Sequence, residues 1–192
     1  MEQNKGERPK SDFEKMLDTW AEKLKTEGKL GVNLPTQWME RMVYEIVELS
    51  RGDMTKQGVA ARINTLRVTI NQGKASAETT VSASKDMGLF GTHTVDIAAK
   101  FGLENVLGPD GKPAGRLRTT YLNVTPESLF GGFVKPKEFL APQVEGAKIN
   151  DAFWVLLSKE MGTRGATATN FSLELTSTNM LHVGVFGGPK KK

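Results

Sequence analysis

The chain has 192 residues, 38% of them apolar, and carries 26 Lys/Arg against 22 Asp/Glu for a formal charge of +4. That is enough apolar material for one ordinary core, and the absence of cysteine excludes disulfides, thiolate catalysis and Cys-ligated zinc or iron–sulfur sites. Residues 1–51 hold nine cations against ten anions and residues 52–192 seventeen against twelve, so the positive surplus, and with it any preference for polyanionic partners, belongs to the second part.

Residues 1–10 are polar and charged and read as a disordered tail. Ser11 followed by Glu14 has the spacing of a capping box, and Phe13, Met16, Leu17, Trp20 and Leu24 then fall on one helical stripe that ends near Gly28. A second helix is expected from Pro35 to Arg51, with Trp38, Met39, Met42, Val43, Ile46 and Leu49 on its apolar side and Gly52 as its stop. With Lys29–Leu34 as linker the two form a helical hairpin. Its Trp and Met residues are core, or a contact between subunits.

From Thr65 the period becomes two, with Leu66, Val68 and Ile70 alternating with Arg67, Thr69 and Asn71, the pattern of a half-buried strand. Asn71-Gln72-Gly73-Lys74 reads as a turn and Ala77 to Ser84 as the partner strand, which puts Arg67 on the exposed face and Lys74 at the tip of a hairpin. Val95, Ile97, Ala98 and Phe101 suggest a short helix or strand. Gly108-Pro109-Asp110-Gly111 is a turn, Arg116 to Val124 a strand, and the stretch from there to Ile149 is looser. Ala152 to Lys159 is a buried element of either type. Phe171, Leu173 and Leu175, a turn at Thr178-Asn179, and Leu181, Val183 and Val185 predict a C-terminal hairpin closed by Gly187-Gly188-Pro189, followed by the basic Lys190–Lys192.

The expected architecture is α+β, an N-terminal helical hairpin packed on a largely antiparallel β-sheet. It divides into a tail over residues 1–10, a helical lobe over 11–52, a β-rich domain over 53–186 and a basic tail over 187–192. No stretch approaches the roughly 20 apolar residues that span a bilayer, and the N-terminus carries charges in place of an apolar leader, so a cytoplasmic location is expected, the host cytoplasm for a viral chain.

Catalytic patterns are missing. His93 and His182 are far apart in sequence, His182 lies within a predicted strand, and no nucleophile elbow, zinc-binding helix, EF-hand loop or dinucleotide fingerprint occurs. GPDGKPAG at Gly108–Gly115 resembles a phosphate loop only in its glycines, since its lysine lacks the following Ser/Thr. No cofactor or metal is implied.

Cations point elsewhere. From Met54 to Ala77 the chain carries Lys56, Arg62, Arg67 and Lys74 without one acidic residue, among Thr, Asn and Gln. Positive side chains interspersed with amides and hydroxyls neutralise phosphates without needing a base sequence. Arg116 and Arg118 face outward on one strand with Tyr121 after them, and Phe130-Gly-Gly-Phe133-Val-Lys135-Pro-Lys137 adds aromatic faces and cations. Those are the parts with which proteins hold single strands. The expected function is therefore non-enzymatic, sequence-tolerant nucleic-acid binding favouring single-stranded DNA or RNA. Lys56, Arg62, Arg67, Lys74, Arg116, Arg118, Lys135 and Lys137 would meet phosphate and Tyr121, Phe130 and Phe133 would stack, in a homo-oligomer. Two alternatives are a structural or assembly subunit, such as a virus particle protein, and a transcription regulator with a helix-turn-helix between Thr55 and Ile70.

Overall fold

Ser11 opens the first helix as its spacing predicts: in the computed structural model, which describes residues 11–190, the Glu14 backbone donates to Ser11 Oγ at 3.3 Å and the Ser11 backbone to Glu14 Oε2 at 2.7 Å. Helix α1 spans Asp12–Glu27 and ends at Gly28, whose φ of 71° is the left-handed conformation that glycine adopts without a steric penalty. The segment after it is a strand, β1 (Lys29–Leu34), where a linker is expected. Strand β1 pairs antiparallel with the C-terminal strand β7 (Leu181–Pro189), so the two ends of the chain meet in one sheet.

Helix α2 spans Thr36–Lys56 and runs straight through Gly52. The stop lies at Gly58 (φ 74°), where the Val59 N–H reaches the Met54 carbonyl at 3.2 Å and the Gly58 N–H the Thr55 carbonyl at 3.0 Å, the pairing of a Schellman motif. Burial decides between the two glycines. Met54 continues the stripe of Val43, Ile46, Val47 and Ser50 and is buried with Val59, which outweighs the roughly 1 kcal/mol cost of glycine inside a helix.

Four long strands follow: β2 (Ala60–Asn71), β3 (Lys74–Asp86), β4 (Thr92–Leu107) and β5 (Pro113–Thr125), antiparallel neighbours in that order. Gln72 (φ 49°) and Gly73 (φ 74°) make the predicted turn between β2 and β3 with two left-handed residues, as a two-residue hairpin requires. Residues read as a short element around Val95–Phe101 belong to the 16-residue β4. Ala60 to Ile70 is strand, so the recognition helix of a helix-turn-helix is not formed there.

The stretch expected to be loose holds helix α3 (Lys137–Val144), which starts after Pro136 and buries Phe139, Leu140 and Val144 despite Pro142 inside it. Helix α4 (Lys148–Thr163) covers the ambiguous Ala152–Lys159 segment, and β6 (Ala166–Leu175) with β7 forms the predicted C-terminal hairpin. Gly187 and Gly188 do not end that hairpin: β7 continues through them, paired with Ala168 and Thr167. A side chain at Gly187 would place its Cβ 2.0 Å from the Thr167 carbonyl oxygen, so glycine is what lets the strands close. Lys191 and Lys192 lie outside the described residues.

The fold is thus α+β with two antiparallel sheets, β1-β7-β6 and β2-β3-β4-β5. One continuous core joins them, with Phe101, Phe153, Leu24, Met39 and Ile46 among its fully buried side chains. Asparagine amides stitch strand edges to their neighbours. Buried Asn150 of α4 accepts from the Leu117 N–H at 2.9 Å and donates to the Leu117 carbonyl at 2.5 Å, standing in for a further strand beside β5. Asn105 of β4 does the same for Leu175 of β6, both bonds at 2.8 Å. Each satisfies a backbone pair that would be costly to leave open. No helix among the described residues is long and apolar enough to cross a membrane.

Candidate nucleic-acid interface

Alternation along β2–β5 sends one set of side chains inward and the other to solvent. Val68, Ile70, Ala77, Val81, Ile97, Ala99, Phe101 and Leu103 are buried on the inner face, against which α2 packs. On the opposite face the register sets Lys74, Ser76, Glu78 and Thr80 of β3 across from Glu104, Gly102, Lys100 and Ala98 of β4. Arg67 lies beside Glu78 on β2, and Arg118, Tyr121, Asn123 and Thr125 complete the face on β5. Its charged side chains and Tyr121 are solvent-facing, apart from half-buried Glu104.

Tyr121 occupies the middle of this face. Its hydroxyl lies 3.2 Å from Ser76 Oγ, two strands away, so the ring is laid along the sheet across Gly102. Gly102 makes that possible: a Cβ there would sit 2.4 Å from Tyr121 Cε1 and 2.6 Å from Thr120 Oγ1. The crowding comes with a bulge in the β4–β5 register between Gly102 and Leu103 that leaves Thr120 as the extra residue. A tyrosine held down in this way keeps 39% of its surface exposed and is immobilised before any ligand arrives.

Around it stand Arg67, Lys74, Lys100 and Arg118, against Glu78 and Glu104. Lys100 Nζ lies 2.5 Å from the Glu78 carboxylate, and Arg118 holds Glu104 through Nε at 2.8 Å and Nη2 at 2.7 Å. The hydrogen bond from Lys100, its charge and then that of Arg67 hold the Glu78 carboxyl below the ordinary glutamate range, while Glu78 raises the Lys100 ammonium. Arg67 and Lys74 form no ion pair among the described residues, so their charge is available to a ligand. The face has a net positive charge and is lined with hydroxyls and amides.

The cations predicted as phosphate contacts do not all gather here. Arg67, Lys74, Arg118 and Tyr121 share the centre, and Arg62 lies farther along β2 on the same face, opposite Ser82. Lys135 and Lys137 line a shallow trough with Asn123 and Thr125 along the β5 edge, Lys135 being 3.4 Å from Glu138. Phe133 is 78% exposed in the turn before them, free of the core, whereas Phe130 is half-buried against the core and Phe139 is buried within it. Phe130 thus presents less of its ring to solvent than Phe133. Lys56 ends α2, paired with Asp53 at 2.7 Å, and the Arg116 guanidinium sits 5.2 Å over the ring of Phe171 at the junction of the sheets. Neither faces the tyrosine.

Sequence reading missed Lys100, Gly102, Ser76 and Asn123. Val95, Ile97, Ala99, Phe101 and Leu103 do alternate, which would have placed Lys100 outward, but the adjacent alanines blur the period. His182 is held by Asn33 at 2.8 Å within the smaller sheet, as a structural histidine would be. Among known proteins, no family model and no curated sequence matches the chain.

Proposed function

We propose that this protein binds single-stranded nucleic acid without sequence preference and without catalysis, using the open face of the four-stranded sheet. The observation that carries the reading is Tyr121, laid over Gly102 and tied to Ser76 in the middle of an uncovered face on which Arg67 and Lys74 stand beside it without an ion pair among the described residues. An exposed ring on a sheet stacks an unpaired base, and cations a few residues away take up the flanking phosphates. A duplex offers no free base to such a ring, which is why single strands are favoured. Lys135, Lys137 and exposed Phe133 extend the track past the β5 edge. A cytoplasmic location, or the host cytoplasm for a viral chain, goes with this reading.

Fluorescence anisotropy of a labelled oligothymidylate and of a matched duplex, each titrated with the full chain across a salt series, tests it. The single strand binds more tightly, and its affinity falls linearly in log–log form with salt. Replacing Arg67 and Lys74 together with alanine flattens that slope by about 1.4, at ~0.7 per lost phosphate contact, and leaves folding intact. Equal affinity for strand and duplex, or an unchanged slope in the folded double variant, contradicts the reading.

A further inference from the structure

Side chains and loops from elsewhere in the chain cover several free strand edges. Asn150 meets both backbone groups of Leu117 on β5, and the nearby Thr119 N–H donates to the Gly146 carbonyl at 2.7 Å. On β2 the Val68 N–H donates to Glu40 Oε1 of α2 at 3.0 Å. Strand β4 has a stretch without such cover. Ala98, opposite Thr125, is the last residue it pairs with β5, so from Thr92 to Ile97 it has β3 on one side and no strand on the other.

Which backbone groups are open follows from the hairpin turn. The Met87 N–H donates to the Gly91 carbonyl at 2.9 Å, and antiparallel alternation from that pair turns His93, Val95 and Ile97 toward β3 and Thr92, Thr94 and Asp96 toward the free edge. No backbone hydrogen bond among the described residues leaves that edge. The stretch Thr-His-Thr-Val-Asp-Ile is rich in β-branched residues and lacks the proline, lysine or bulge that commonly blunts a free edge, which makes it a template for another strand.

The edge is complementary to itself. Two copies set antiparallel about Thr94 bring Thr94 opposite Thr94 and Thr92 opposite Asp96 in both directions, and every open N–H and C=O of the stretch then has a partner. A shift of two residues either way loses this, because it pairs an open residue with Phe90 in the turn or with Ala98, whose edge β5 already holds. No like charges face each other in this register: each Asp96 meets a threonine and accepts from Ser82 of its own copy. The same register carries the turn beyond Thr92, with Leu89 fully exposed and Phe90 81% exposed, toward the end of β5 in the other copy. Trp20 and Met39 of the helical stripes, by contrast, are buried in their own core and offer no contact between subunits.

We propose that two copies of this chain pair through the Thr92–Asp96 edge of β4, about a two-fold axis at Thr94. The contact is isologous, so it closes at a dimer, and it joins the two four-stranded sheets into one with both open faces on the same side. A strand pair of this length falls short of the ~1,200–2,000 Å² buried in stable interfaces, so monomer and dimer exchange with concentration. The inference stands independently of nucleic-acid binding.

Sedimentation velocity of the full chain without nucleic acid, over a range of concentrations, is the test. The mass of the natural chain rises from monomer toward dimer and no further. T94P removes an N–H that β3 does not use, which an edge position tolerates, and it stays monomeric at every concentration with its melting temperature nearly kept. Since T94P can also disturb β4, single thiols in a chain that has no cysteine give a second readout. T94C crosslinks to its own mate under mild oxidation, faster than T169C on the exposed Thr169 of β6. A natural chain that stays monomeric, which leaves the edge to a strand of another protein, overturns the proposal. So does undiminished association of folded T94P, T94C that crosslinks no faster than T169C, or assembly beyond dimers.

Discussion

The two faces of the four-stranded sheet are built from the same strands, one residue out of step, and they have opposite chemistry. Inward, Val68, Ala77, Val81, Ile97, Phe101 and Leu103 join the core; outward, Arg67, Ser76, Glu78, Lys100 and Tyr121 meet water. The outer face is open because α2 and α3 supply cover to one side only and the smaller sheet engages one end of it, at Asn105, at β5 and at the Gln72 turn, whose N–H donates to Asn179. A one-sided sheet is common among antiparallel folds. What marks this one is an aromatic ring pinned on its wet side by a glycine and a serine, an arrangement that core packing does not call for.

Substitutions on the two faces should therefore separate stability from binding. The largest effect is expected inside: Phe101→Ala empties a fully buried site and lowers unfolding free energy by ~3–5 kcal/mol, read by denaturant titration, while the remaining folded protein keeps its affinity for a single strand. Next comes Tyr121→Ala, which weakens single-strand binding by ~1–3 kcal/mol with little change in melting temperature. Gly102→Val acts through the same ring, since its side chain occupies the space of Tyr121 Cε1, and it should match the Tyr121 variant in binding while also lowering the melting temperature. If Gly102→Val binds normally, the ring is not the stacking surface.

The smallest effect concerns charge. Glu78 occupies Lys100 and attracts Arg67, so Glu78→Gln releases both and should tighten single-strand binding and steepen its salt dependence by no more than one phosphate contact. Lowering pH does the same to the natural chain. Because the folded carboxyl titrates below its ordinary range, the ion pair's contribution is complete above the unfolded pKa and is lost as pH falls through the folded one. Affinity should thus rise at pH values under the usual glutamate range in the natural protein and rise less there in Glu78→Gln.

Much of the fold could be read from local patterns. The capping box at Ser11, the αL stop at Gly28, the Gln72-Gly73 turn and the C-terminal hairpin each depend on residues a few positions apart, and each stands where its spacing puts it. Misreadings arose where a distant contact decides. Gly52 and Gly58 are equivalent as sequence, and only burial of Met54 against Val59 selects the second. Lys29–Leu34 is short and interrupted by Gly31 and Asn33, and becomes a strand because β7, some 150 residues later, offers it a register. Asn105 and Asn150 look like ordinary polar residues until the strand edges they satisfy are brought to them. The candidate interface was legible in its cations Arg67, Lys74 and Arg118 and in Tyr121. Its centre was not, since Gly102 and Ser76 matter only through a ring that crosses two strands.

The central claim, that the open sheet face rather than any other surface meets nucleic acid, is tested most directly by nuclear magnetic resonance of the isotope-labelled full chain titrated with oligothymidylate at low salt. The account predicts that amide shifts concentrate at Arg67, Lys74, Ser76, Lys100, Gly102, Tyr121 and Asn123 and leave the helices and the smaller sheet nearly unmoved. Shifts that gather on the helices or the smaller sheet, or a spectrum that does not change, would contradict it.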